Sequence, residues 1–227
     1  MLNPLRPDKL RAILLAFLVG AATAAQAAPV TVLNPSFESP LLGDGGWTAG
    51  PFAITSWGGG NATGLFNPVT GVHYSGPGAT DGVQVAYSNL EPIAQFLGAT
   101  LTADTLYTLK VDVGDRKDTI FPGYTIGLYG GGQPLAVDNS SLTPNDGFLT
   151  STLTFLAPPG HPNLGQVLEL RLASAGLQTN FDNVRLDATP TSELIPALGS
   201  RGILVLGLGL LALGLHASAA ARVRPAR

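Results

Sequence analysis

The residues able to carry chemistry are few and scattered. The chain holds three histidines and no cysteine. His73 and His161 lie in separate Gly/Pro-rich stretches, and no His-x-x-x-His or Cys/His spacing is present to build a zinc site. Neither a Gly-x-Ser-x-Gly elbow nor a Gly-Lys-Ser/Thr phosphate loop occurs. Carboxylates remain. A glycoside hydrolase needs two of them about 5 to 10 Å apart across a cleft. Glu38, Glu91 and Glu169 are the candidates, yet Glu91 precedes Pro92 in a turn and Glu169 falls on the polar side of an alternating stretch. Asp112, Asp115 and Asp118 are interleaved with Arg116 and Lys117 and read as a solvated loop. Flat aromatic faces suit sugar binding. Trp47, His73, Tyr74, Phe121 and Tyr129 stand in loops or on polar faces and are the candidate ligand-binding residues, whereas Trp57 belongs to the core. No set of these residues makes a catalytic constellation, so the expectation is a protein that is not an enzyme.

The elements that must position these side chains are strands. Gly (29) and Pro (18) are spread between short apolar segments, which points to strands and turns rather than helices. Phe52 to Trp57 reads as a strand closed by Gly58-Gly59-Gly60, and Leu65 to Thr80 as an irregular segment exposing His73 and Tyr74. From Val83 onward the pattern sharpens. Val83, Val85 and Tyr87 alternate with polar or small residues, as do Tyr107, Leu109, Val111 and Val113. Tyr124, Ile126 and Leu128 follow, then Leu149, Leu153 and Phe155, then Leu168, Leu170 and Leu172, then Val184 and Leu186. A period of two with one polar face predicts half-buried antiparallel strands. Eight or more of them predict an all-β, antiparallel two-sheet sandwich.

Both ends differ from this body. Arg6, Lys9 and Arg11 precede an apolar run and then Ala25-Gln26-Ala27, which reads as a secretory signal peptide over 1–27. The sandwich domain is placed at 28–190 and a linker at 191–201. Residues 202–221 carry no charge and would span about 30 Å as a transmembrane helix, followed by a basic cytoplasmic tail at 222–227. Between Ala28 and Ser200 there are 14 acids and only five bases, namely Lys110, Arg116, Lys117, Arg171 and Arg185. Such an acidic body argues against a nucleic-acid partner.

Two resemblances add to this. Ile195, Pro196, Leu198 and Gly202, with the apolar run and the arginines behind them, resemble an exosortase-type C-terminal sorting signal, the variant reading Ile-Pro-Thr-Leu-Ser-Glu-Trp-Gly. Leu33-Asn34-Pro35-Ser36-Phe37-Glu38 and Phe181-Asp182-Asn183-Val184-Arg185-Leu186 resemble the bracketing strands of galactose-binding-like jelly rolls, which include many carbohydrate-binding modules. Gln95 to Gly98, followed by Leu106 to Val111, is similar to the central hairpin of that group. The second resemblance spans about Val30 to Ala188. It implies one structural Ca2+ held by Glu38 and Asp182, since calcium takes hard oxygen ligands. The first implies a sorting protease and the inner membrane as partners. Together they lead to the expectation of an exported, surface- or matrix-associated, non-catalytic protein binding extracellular polysaccharide. A structural envelope protein and a carbohydrate hydrolase are the alternatives.

Overall fold

The computed structural model describes residues 27–191. The signal peptide, the sorting motif at Ile195, Pro196, Leu198 and Gly202, and the apolar run at 202–221 lie outside the described residues. Among the described residues no helix is long and apolar enough to cross a membrane.

Ten strands form two antiparallel sheets. The first sheet runs β2 (Thr63–Phe66), β3 (Val85–Ser88), β10 (Thr179–Pro190), β5 (Thr105–Gly114), β8 (Phe148–Ala157), with β1 (Ala28–Val30) paired to the far end of β10. The second runs β4 (Ile93–Thr100), β9 (Val167–Ser174), β6 (Tyr124–Gly130), β7 (Gln133–Asp138). This is an all-β two-sheet sandwich, consistent with the expected jelly roll.

The alternating residues face each other between the sheets. Leu109, Val111 and Val113 of β5 and Phe181, Val184 and Leu186 of β10 pack against Ile126 and Leu128 of β6 and Leu168, Leu170 and Leu172 of β9. Trp57 belongs to this core as expected, its indole N–H donating to the Leu33 carbonyl at 3.0 Å. Spacing within β10 holds one irregularity with consequences. Phe181 and Val184 both point inward although three residues apart, because the register shifts between Asp182 and Arg185. Asn183 sits there at φ 52°, in the left-handed region. Such a bulge adds a residue to one strand and re-aims its neighbours. It leaves Asp182 on the outer face of the first sheet.

Three local expectations change. Phe52 to Trp57 is a run of turns, because its backbone groups are used by loop contacts such as Trp57 N–H to Ile54 carbonyl. Gln95–Gly98 and Leu106–Val111 do not form a hairpin: β4 and β5 belong to different sheets, and Leu101–Asp104 turns the corner between them. The Asp112/Asp115/Asp118 group is no solvated loop, since Asp112 and Asp115 are buried.

Candidate active site

A second, smaller apolar cluster lies on the outer face of the first sheet. It comprises Phe66 of β2, Val85 and Tyr87 of β3, and Ala79 from the connecting loop, with Phe148 of β8 against them. Strand register arranges these residues in rows. One row crosses Gly64, Tyr87, Asn180, Gly114 and Phe148. Next to it lie Phe66, Val85, Asp182, Asp112 and Thr150, with Asp182 following Phe181 in register on β10. A side chain at Gly114 would run into the Phe148 ring, so that ring leans over β5 toward Asn180.

The Asn67–Gln84 connection folds over this face. Tyr74 is fully buried there and its ring stacks on Phe148, centroids 4.9 Å apart. His73 sets its ring edge-on to Phe66 at 4.9 Å, and Arg116 lies over the same Phe66 ring at 4.8 Å. Arg116 is itself fixed by Asp118 and by Gln178 at 3.0 Å. Beyond the loop, a cleft of about 290 Å³ is lined by Asn67, Pro68, Pro77, Gly78, Ala79 and Val83.

Asp182 is the polar centre. Its side chain is wholly buried, and it accepts from Thr80 N at 2.7 Å, Asp81 N at 2.9 Å and Asn183 N at 2.7 Å. The Thr80 hydroxyl stands 2.9 Å from Asp182 Oδ2 and 2.7 Å from Asp112 Oδ2. A hydroxyl has one hydrogen. The two carboxyl groups share that one hydrogen. Asp112 pairs with Arg185 at 3.3 Å and accepts from Thr150 Oγ1 at 2.7 Å and Asn183 Nδ2 at 3.1 Å. Burial pushes Asp182 up to about 7 despite the donors from Asp81, Thr80 and Asn183 that pull the other way. Asp115, at the rim, is also raised by burial, and burial moves the Tyr74 hydroxyl well above the ordinary phenol range.

Three buried atoms of this region have no hydrogen-bond partner among the described residues: Tyr74 Oη, Asn180 Oδ1 and Asp115 Oδ1. Leaving such a group unpaired costs about 1–3 kcal/mol.

The residues singled out from the sequence are only partly gathered here. Trp47 is exposed beside this face, bridged to Phe66 through the backbone. His73 and Tyr74 belong to the loop over the face, but Tyr74 is no open platform: it is packed under the loop because Phe148 offers it a ring to stack on. Phe121 packs on the main core beside Tyr124, and Tyr129 lies in the second sheet under Arg171, 4.2 Å from its guanidinium. Glu169 is likewise buried, paired with Arg171 at 2.8 Å.

Glu38 and Asp182 both serve the loop. Glu38 Oε1 accepts from Val83 N at 2.8 Å and Gln84 N at 2.9 Å. An ionised carboxylate offers about four lone-pair sites. Three donors converge on Asp182 Oδ2 and one, Asn183 N, reaches Oδ1. No group of three or more His, Asp or Glu side chains among the described residues is placed to hold a metal. Sequence reasoning singled out Asp182 and overlooked Thr80, Asn180 and Phe148.

Fold and site define a β-sandwich that keeps a buried acid beneath an aromatic-lined loop on one sheet's outer face. The chain belongs to the HpiC1-like family: the model described as HpiC1 cyclase matches residues 28–187. Among solved structures, the Stig cyclase Fisc from Fischerella sp. TAU, in complex with (3Z)-3-(1-methyl-2-pyrrolidinylidene)-3H-indole, is 30% identical. That alignment covers 73% of this chain and 99% of that one, with a TM-score of 0.65. A cyclase from Fischerella sp. TAU in complex with 4-(1H-indol-3-yl)butan-2-one is 30% identical over 72% of this chain and 98% of that one, also at 0.65. An apo cyclase from Fischerella sp. is 31% identical over 73% and 98%, at 0.65. The CBM22-1 xylan-binding domain from Paenibacillus barcinonensis Xyn10C aligns at 12% identity and TM-score 0.44 over 74% of this chain and 97% of that one. No curated protein matches the chain.

These findings overturn the expectation of a non-catalytic protein. The family is one of cyclases, and the fold that suggested carbohydrate binding also carries them. The partner expectation falls with it. Two of the cyclases above hold small indole compounds, in place of the polysaccharide, sorting protease and membrane that the sequence suggested.

Proposed function

We propose that this protein is a cyclase that acts by acid catalysis on a small indole-bearing substrate, with Asp182 as the proton donor. The observation that carries this reading is a wholly buried aspartate sharing the Thr80 hydroxyl with Asp112 under aromatic rings, in a chain of the HpiC1-like family. The ordinary aspartate is charged at neutral pH and is a poor acid; one poised near 7 can give and take a proton. The surrounding Phe66, Tyr87 and Phe148 rings suit a planar aromatic substrate and keep water from a cationic intermediate.

In the reaction, the Asp182 proton moves to an electron-rich carbon of the substrate. An internal carbon–carbon bond then closes on the cation, and a ring proton returns to the Asp182 carboxylate. Substrate and product have the same composition, so no oxidant or reductant enters. Entry is through the cleft beside Ala79, with the Asn67–Gln84 loop shifting to uncover Asp182. The N-terminal 27 residues, read as a signal peptide, make this an exported enzyme.

Full-length protein incubated with indole-bearing alkenes should yield cyclised products of unchanged mass. Asp182→Asn should lower that turnover by about 10²- to 10⁴-fold while leaving the melting temperature close to wild type. Turnover at the wild-type rate in Asp182→Asn would exclude Asp182 as the acid.

A further inference from the structure

We infer that Asn180 is a specificity-determining residue, its Oδ1 accepting the ring N–H of the bound substrate; this rests on the indole substrate class proposed above. Asn180 is wholly buried on β10. Its Nδ2 turns toward the Ala86 carbonyl at 3.5 Å, which leaves Oδ1 as the side without a donor. The residue stands in the middle of the outer-face row, between Tyr87 on β3 and Gly114 on β5, with the Phe148 ring leaning over that glycine. A planar ligand resting on Phe148 would present its edge to this oxygen. Asp182 follows two residues along the same strand, about 7 Å away at strand rise, so a ring held by Asn180 brings its neighbouring carbons toward the acid.

A second observation points to the same occupant. Tyr74 comes from an irregular loop, lies on Phe148, and buries a hydroxyl with no partner. Its phenol ring occupies the stacking position that a planar ligand would take, without meeting the hydrogen-bonding capacity of the face beneath. An acceptor and a ring-sized stacking position on one rigid sheet face select for an aromatic ring bearing a hydrogen-bond donor. A site built to hydrogen-bond an N–H rejects the analogue lacking it, because the buried acceptor is then left unpaired.

Calorimetric titration of the full-length protein with indole and with benzofuran separates shape from hydrogen bonding, since benzofuran has a ring oxygen where indole has N–H. Wild type should bind indole about tenfold more tightly. Asn180→Leu should bring the two probes within about twofold, by weakening indole rather than tightening benzofuran. Asn180→Ala serves as the second variant, with thermal melting confirming that both are folded. Equal affinities in wild type, or a preference retained in both variants, would overturn the role of Asn180 and leave the indole reading intact. Failure of wild type to bind either probe would overturn both.

Discussion

Asp182 and Asp138 are held in similar ways and driven in opposite directions. Asp138, at the end of β7, accepts from the Tyr124 hydroxyl at 2.7 Å, Ser141 Oγ at 2.6 Å and Ser151 Oγ at 2.5 Å, with Ser141 N at 3.1 Å. Burial raises it, but these donors prevail and hold it well below the usual carboxylate range. Asp182 has a comparable set of donors, yet it is wholly buried and has Asp112 across one shared hydroxyl. There burial prevails. The balance of burial against donors sets each carboxyl group: greater depth wins at Asp182, the donors win at Asp138. Asp138 fastens β7 to β8 across the sandwich, and Asp182 is kept ready to lose a proton.

The largest effects should cross over between the two. Asp182→Asn should cost about 10²- to 10⁴-fold in turnover with little change in melting temperature. Asp138→Asn should lower stability by about 1–2 kcal/mol, a reduced figure for a partly exposed group with charged hydrogen bonds, with turnover near wild type. Denaturant melts and product formation measured on both variants check this; a variant losing both properties equally would erase the distinction.

Stability against pH should separate them next. The folded-state pKa of Asp182 lies above the ordinary value, so its contribution is complete below about pH 4 and lost as pH rises through about 7. Asp138 is depressed, so its contribution is present above about pH 4 and lost as pH falls. Melting temperatures from pH 3 to 8 should therefore lose their neutral decline in Asp182→Asn and part of their acid decline in Asp138→Asn. Unchanged profiles in both would count against these assignments.

Tyr74→Phe sharpens the comparison by a smaller amount. It removes a buried hydroxyl with no partner and keeps the ring on Phe148. Stability should hold or rise by up to about 1 kcal/mol, measured by denaturant titration. A loss of more than that would mean the hydroxyl has a partner.

Much of the fold was legible in the sequence. Alternation at Tyr107–Val113, Tyr124–Leu128, Leu149–Phe155 and Leu168–Leu172 marked β5, β6, β8 and β9, because each buries one face against the other sheet. β2 and β7 were missed. Thr63–Phe66 is buried on both sides, so it has no polar face to alternate, and Gln133–Asp138 is an exposed edge strand with a proline in it. The site was harder to see. Asp182 stood out only through a family likeness. Its neighbours, Thr80 and Asp112, lie 102 and 70 positions away and meet it through loop closure and strand pairing. The outward aim of Asp182 depends on a bulge at Asn183 that alternation cannot reveal.

Carbon-13 titration of the aspartate carboxyls in the full-length protein tests the account most directly. The Asp182 signal can be assigned by its loss in Asp182→Asn. The account predicts a midpoint at about 7, with the carboxyl protonated throughout the mildly acidic range. A midpoint at or below the ordinary aspartate value of about 3.9 would contradict it, leaving Asp182 a charged structural carboxylate like Asp138.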